Sequence, residues 1–513
     1  MAKDFRPVDR GQQFLLPPDM AEWLPAGHLA WFVIAVVDEL DMSAFEARRK
    51  LGGAGRPAFD PRMLLALLVY AYACGQRSSR QVERLCATDV AFRVICAQDV
   101  PDHATVARFR AEHRAGIEEL FTQVLVLCAR AGLGRVGVVS VDGTKIAADA
   151  SVSADRSAAW LREQAAAMLE EAERVDAEED ALFGAARGDE LPEEWADPRT
   201  RKARIKAALE RLREADAADD AAAEAGMACW SARLDAAAAA LAKARALAQD
   251  RLDAHRQKTA DAAAGVGRKP QGKPPVPVED HCRVRAARGR LARVLAEQEQ
   301  ERLRLLERRA AREQDAKVNL TDVDSRRMPA KNGWIHGYNA QLAVSDDQVI
   351  LAAVVTCQPG DVEAFTPMTR AAEAAVRTLS EATGAELAIG VVLADAGYLS
   401  IANLTAKGPD RLIAVGKARR QRRAARENPA AGPPPDGADP VAAMGHRLRT
   451  PEGIATYQRR AATVEPVNGH LKDRIGLRRF SLRGKEKAQT ELTLAAAVAN
   501  LLKLHKATAP APA

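Results

Sequence analysis

The chain has 513 residues, 47% hydrophobic and 28% charged, which suits a water-soluble protein with a buried core and more than one domain. Its net charge of +6 is uneven: residues 401–513 hold 21 Lys+Arg against 9 Asp+Glu, or +12, which leaves −6 on the first 400. A basic C-terminal region predicts a polyanionic partner, nucleic acid before membrane, although a basic loop without a partner has the same composition.

The 7 cysteines are odd in number and contain no C-x-x-C pair, so neither a disulfide framework nor a zinc site is indicated and a reducing cytoplasm is expected. The N-terminus lacks the charge and apolar series of a signal peptide, and no apolar run is long enough to cross a bilayer. The expectation is a soluble, cytoplasmic protein with no membrane partner.

Residues 1–135 read as a helical N-terminal domain. "FDPRMLLALLVYAYAC" places Asp60 as an N-cap with Pro61 at the first helical position, and Asp102 caps a second helical stretch that runs to Gly132. Arg77, Arg80, Arg84, Arg108, Arg110 and Arg114 fall on these short helices in a helix-turn-helix-like arrangement, which fits DNA contact and equally fits a solvated surface.

In residues 136–153 the period changes. "VGVVSVD" and "TKIAA" read as two successive strands, the first ending in Asp142 and turning through Gly143. Residues 154–316 read as a helical, coiled-coil-like insert rich in Ala, Glu and Arg, broken by the Gly/Pro-rich "GVGRKPQGKPPVPVED". Strand texture returns in "GWIHGYNAQLAVSDDQVILAAVVT", with Asp346-Asp347 at a hairpin turn, and a helix follows. "ELAIGVVLADAGYLS" is an apolar strand that meets a second lone acid, Asp395. After a short helix and the strand "DRLIAVG", residues 417–450 read as a basic, disordered loop. "TPEGIATYQRRAATVEPVNGHLKDRIGL" and "KAQTELTLAAAVANLLKLHK" are helical, and residues 507–513 form a loose tail. With the insert set aside, residues 136–153 and 317–506 make one α/β domain.

An unpaired buried carboxylate is destabilising by several kcal/mol, so an acid at the end of a buried strand must be solvated, paired or bound to a cation. Asp-Gly and Asp-Ala-Gly are also ordinary turn formers, and either aspartate alone fits that simpler role. Tyr457, Arg460, Glu465 and Lys472 add a third element, with the spacing Y-x2-R-x4-E-x6-K. Glu465 and Lys472 lie nearly two helical turns apart and so share a face. Pro466 either begins that helix afresh or kinks it. Asp149, Asp155, Asp322, Asp324, Asp346 and Asp347 sit in turn or cap contexts and read as structural; His336 and His470 could approach the site, but no ligand pattern links them and they read as surface or packing residues.

These pieces resemble a DDE-type insertion-sequence transposase, of the bacterial branch marked by a Tyr-Arg-Glu-Lys signature. The resemblance rests on "VDGTKIAADAS", "TDVDSRRMPAKNGWIHGYNAQLAV", "LADAGY" and "YQRRAATVEPVNGHLKDRIGLRRFSLRG", and it extends to the N-terminal helices. Two departures are visible: four residues separate Arg460 from Glu465 where three are common, and Asn468 stands where an aromatic is usual.

The resemblance implies a ribonuclease H-like mixed sheet with flanking helices, and Asp142, Asp395 and Glu465 as catalytic, metal-binding acids. It implies two Mg2+ ions, with Mn2+ able to substitute, and an activity of DNA cleavage followed by strand transfer. It implies DNA contacts by Tyr457, Arg460 and Lys472, with Arg108 and Arg110 on the N-terminal helices reading the terminal inverted repeats. A homodimer acting on paired element ends and target DNA follows from the same resemblance. Two other readings share parts of the pattern: a ribonuclease H-like nuclease that cuts without rejoining, and a catalytically inactive DNA-binding or scaffolding relative.

Overall fold

The computed structural model describes residues 19–47, 58–151, 154–157, 159–164, 167, 201–315, 317–330, 333–435 and 437–508. They form two compact units: residues 1–154 with 324–513, and residues 155–323. Of the helix expected near residue 156 onward, residues 159–164 are helical, while 168–200 and the tail 509–513 lie outside the described residues.

The first unit begins with helices α1 (Leu29–Glu39), α2 (Ser43–Glu46), α3 (Pro61–Ala73), α4 (Ser79–Thr88), α5 (Val90–Ile95), α6 (His103–Glu112) and α7 (Arg114–Arg130). The Asp60 carboxylate accepts from Arg62 N ahead of Pro61, and that of Asp102 accepts from Thr105 N, so both caps form as their residue types dictate. The sheet strands are β1 (Val138–Ala147), β4 (Arg326–Ala330), β5 (Gly333–Ser345), β6 (Ile350–Thr356), β7 (Val391–Ala394) and β8 (Asp410–Ile413). Strand order is β4-β5-β1-β7-β8, with β6 also paired to β5. β5 is antiparallel to β1, β4 and β6, while β1, β7 and β8 run parallel. This is a mixed sheet flanked by helices, as a ribonuclease H-like fold requires.

"VVSVDGTKIA" is one strand rather than two. Asp142 lies in its middle, opposite Leu342, and Gly143 pairs with Gln341 without turning. The expected turn between Asp346 and Asp347 is present: β5 and β6 are joined there, with Gln348 in the left-handed region at φ 67°.

Helices α10 (Phe365–Thr383), α11 (Ile401–Thr405), α12 (Ala418–Glu427), α13 (Pro440–Arg447), α14 (Pro451–Asp473) and α15 (Lys485–Thr508) complete the unit. Residues 417–450, expected to lack regular structure, contain two of them. The surrounding Pro and Gly residues delimit α12 and α13 instead of dissolving them, and Asp439 caps α13 through Ala442 N.

From Thr490 to Val498 α15 is buried on every side, and it packs on α7, α3 and β6. Its buried Glu491 pairs with Arg77 at 2.7 Å, and its Asn500 exchanges two 2.9 Å hydrogen bonds with the Ile350 backbone. The N-terminal helices, expected as a domain of their own, therefore share one hydrophobic core with the sheet.

In the second unit, α8 (Arg201–Ala263) and α9 (Cys282–Asp315) flank the Gly/Pro-rich segment and pack together through Leu241, Ala248, Val284 and Ala287. Arg233 and Glu297 link them at 3.0 Å, and Arg245 of α8 pairs at 2.8 Å with Glu279 in the turn just before α9. The short strands β2 (Asp155–Ser157) and β3 (Lys317–Asn319) pair antiparallel in the same unit. No helix among the described residues is long and apolar enough to cross a membrane.

Candidate active site

β1 pairs with β7 only from Val138 to Ser140, because β7 ends at Ala394. β1 continues past that point, so Asp142 stands at the level where its parallel neighbour stops and Asp395 begins. Asp395 caps a turn over Ala396–Tyr398, its Oδ1 accepting from Gly397 N at 2.8 Å. Two acids distant in sequence thus meet at one edge of the sheet.

α14 closes this edge. Side chains alternate along a strand, so Ser140 and Asp142 face the same way. Ser140 Oγ meets Thr463 Oγ1 at 2.6 Å, which puts that face against α14. Tyr457 donates its hydroxyl to the Ala394 carbonyl at 3.2 Å. Arg460 Nη2 lies 2.6 Å from Asp142 Oδ1 and 3.8 Å from Asp395 Oδ2. Asn468 Nδ2 donates to Asp142 Oδ2 at 2.9 Å, so both oxygens of Asp142 are engaged.

Pro466 neither restarts nor ends α14, which runs unbroken from Pro451 to Asp473. Proline has no N–H to offer the carbonyl four residues back. The Gln348 amide donates to that carbonyl, Ala462 O, at 2.9 Å.

Burial drives the Asp142 carboxyl up to about 6; Arg460 opposes that rise, and the nearby Asp395 and Asp361 charges add to it. Burial also raises the Tyr457 hydroxyl to about 12 and lowers the half-buried Lys472 ammonium. Arg460 Nε and Asn468 Oδ1 are buried without partners. Two hard carboxylates held by a single guanidinium, with an unpartnered amide oxygen beside them, match the oxygen donors that a hard divalent cation takes.

Glu465 is exposed on α14, three residues before Asn468, and its charge acts on Arg460, but among the described residues no three His, Cys, Asp or Glu side chains stand close enough to hold a metal ion. The DNA-contact residues divide as well. Lys472 is half-buried, and Arg460 is committed to the aspartates. Arg108 is exposed on α6. Arg110, expected at a DNA surface, is instead 5% exposed, and its guanidinium donates to Tyr72 Oη and to the Arg77 carbonyl. Arg77 is likewise tied to Glu491 and to the Gly476 carbonyl.

The expected structural acids have such roles where their contacts are visible: Asp149 pairs with Arg483, Asp346 with Arg459, and Asp347 accepts from the Gly134 and Arg135 amides.

Sequence reasoning missed a fourth acid. Asp361 Oδ1 accepts from Asn339 Nδ2 at 2.7 Å, Gln341 Nε2 at 2.8 Å and Lys145 Nζ at 3.3 Å. Tyr398 donates to Gln341 Oε1, which ties this network to the turn that carries Asp395. Gly143 is where the network approaches β1: a Cβ there would stand 2.5 Å from Asp361 Oδ1 and would also strike the Gln341 amide. The available signal was the pair Asn339 and Gln341, two polar residues at strand period inside an apolar run.

Two family models match the chain. Residues 18–112 match a model described as a transposase domain (DUF772), and residues 314–501 match a transposase DDE domain; together they cover more than half of the chain. No curated protein and no solved structure matches it.

Proposed function

The chain belongs to the DDE transposases of insertion sequences, and from that membership we propose that Asp142, Asp395 and Glu465 are its catalytic carboxylates. It is an enzyme of transposition, a divalent-metal-dependent polynucleotidyl transferase that acts on DNA. The observation that carries the site assignment is the partly buried Asp142 carboxylate, set beside Asp395 at the end of β7 and paired with Arg460.

Asp142 and Asp395 would hold Mg2+, with Glu465 completing the set from the same helix that carries Asn468. Bound Mg2+ supplies activation of an attacking water or 3′-hydroxyl and charge neutralisation at the phosphodiester. Asn468 fixes the orientation of the Asp142 carboxylate, and the Tyr457 hydroxyl anchors the turn that presents Asp395. Lys472 would meet a phosphate next to the cut, and the exposed Arg108 would lie on the surface that reads the terminal repeats. The reaction is cleavage at the element ends followed by attack of the freed 3′-hydroxyl on target DNA: one P–O bond forms as another breaks. A homodimer in the cytoplasm, acting on paired ends, is part of the same reading. So is the division into N-terminal helices, a split catalytic domain and a helical insert at 154–316.

The test supplies purified protein with labelled element ends, target DNA and Mg2+. Joined products are expected, which a nuclease that only cuts would not give. Asp142→Asn, Asp395→Asn and Glu465→Gln should each abolish cutting while DNA binding persists. Retained cutting by any one of them removes that residue from the assignment.

A further inference from the structure

We propose that the arginine face of α12 is a binding surface for the phosphate backbone of duplex DNA alongside the cleavage site; its position relative to the cut rests on the transposase reading above. Residues 417–427 hold six cations (Lys417, Arg419, Arg420, Arg422, Arg423, Arg426) and one carboxylate, Glu427. All six cations are exposed, and Glu427 pairs with Arg423 at 2.7 Å. Arg419, Arg422, Arg423 and Arg426 are spaced i, i+3, i+4, i+7, so they make one stripe along roughly 10 Å of helix.

Like charges at that spacing repel and weaken an isolated helix. A polyanion laid along the stripe would reverse the sign of that effect. Arginine suits the role, because its planar fork meets phosphate oxygens two at a time.

Both ends of α12 are fixed. At its start, Ala414 N donates to Ala394 O at 3.1 Å, and α12 begins four residues later. At its end, Arg449 Nη1 donates to Asn428 O at 3.0 Å and Ala430 N donates to Arg449 O at 3.2 Å. β8 is parallel to β7, so the strand that feeds α12 ends at the same edge of the sheet as Asp395. α12 therefore starts four residues beyond the strand end that lies beside Ala394 and Asp395. By contrast, Arg77, Arg110 and Arg460 spend their guanidinium groups inside the protein.

The experiment measures binding of the full chain to a short synthetic DNA duplex across a range of salt concentrations. Replacing Arg419, Arg422, Arg423 and Arg426 together by Gln should make the slope of log K against log salt shallower by about 3 to 4, since each phosphate contact contributes about 0.9. The corresponding Lys replacements keep the charge and should retain the wild-type slope, which separates lost contacts from lost folding. An unchanged slope in the Gln variant overturns this surface and leaves the catalytic assignment standing. A wild-type chain that binds no duplex overturns it as well. Loss of slope in a protein that fails to cut element ends sustains the surface and sinks the catalytic reading alone.

Discussion

The Arg460 guanidinium stands 2.6 Å from one oxygen of Asp142 and also reaches Asp395, so a side-chain cation holds the place where two carboxylates would share a metal. A divalent ion must compete with it. Arg460→Gln should therefore bind Mn2+ about tenfold more tightly, the equivalent of about 1.4 kcal/mol. In the absence of metal the same variant should lose about 1 to 3 kcal/mol of stability, because a partly buried carboxylate loses its counter-ion. Isothermal titration and thermal unfolding read the two effects; equal metal affinity in both proteins would show that the guanidinium and the ion do not compete.

Asp142 gives the metal-free protein a pH signature. Its carboxyl titrates near 6 when folded, above its unfolded value, so between about pH 4 and 6 the folded chain holds the extra proton. Stability from this group is present at low pH and declines as pH rises through 6. Binding of a divalent ion displaces that proton, so metal affinity should climb across the same window and level off above it. Metal titrations at several pH values check this, and Asp142→Asn should flatten the stability profile. An affinity independent of pH between 5 and 7 contradicts the shifted carboxyl.

Gly143 should tolerate no side chain. Gly143→Ala drives a methyl into the Asp361–Gln341 network and should destabilise by about 2 to 3 kcal/mol, as overpacking at a rigid site does. Denaturant unfolding measures it, and a change below about 0.5 kcal/mol would mean that the network yields easily.

The Gln348 amide and Pro466 should be energetically coupled. Gln348→Ala leaves the Ala462 carbonyl without its donor, a loss of about 1 kcal/mol or less at this exposed position. In a Pro466→Ala background the helix can supply its own N–H, and the loss should shrink. A double-mutant cycle with no coupling would separate the two residues.

The sequence made some of this arrangement legible and hid the rest for identifiable reasons. Asp142 and Asp395 stood out because each interrupts an apolar strand run, and the structure brings those two together. Asp-Gly in "VSVDGTKI" looked like a turn, yet Gly143 is there to admit Asp361 and its amide partners from the far face. Asp361 itself could not be read, because its partners Asn339, Gln341 and Lys145 come from two other strands. Arg110 looked like surface because arginine usually is; its burial depends on the Tyr72 hydroxyl, which only tertiary packing supplies. Pro466 left open whether the helix begins afresh there; it does not, and the carbonyl that proline cannot serve takes its donor from Gln348 on a distant hairpin.

The way α15 is used has a consequence for biosynthesis. α3 and α7 bury their apolar faces against this last helix, and Arg77 finds its buried counter-ion there. A nascent chain leaving the ribosome cannot finish packing α3 and α7 until α15 has emerged. A gene copy interrupted upstream of the segment that encodes α15 would yield an unfolded product prone to proteolysis, not a stable fragment able to occupy DNA and compete with intact copies.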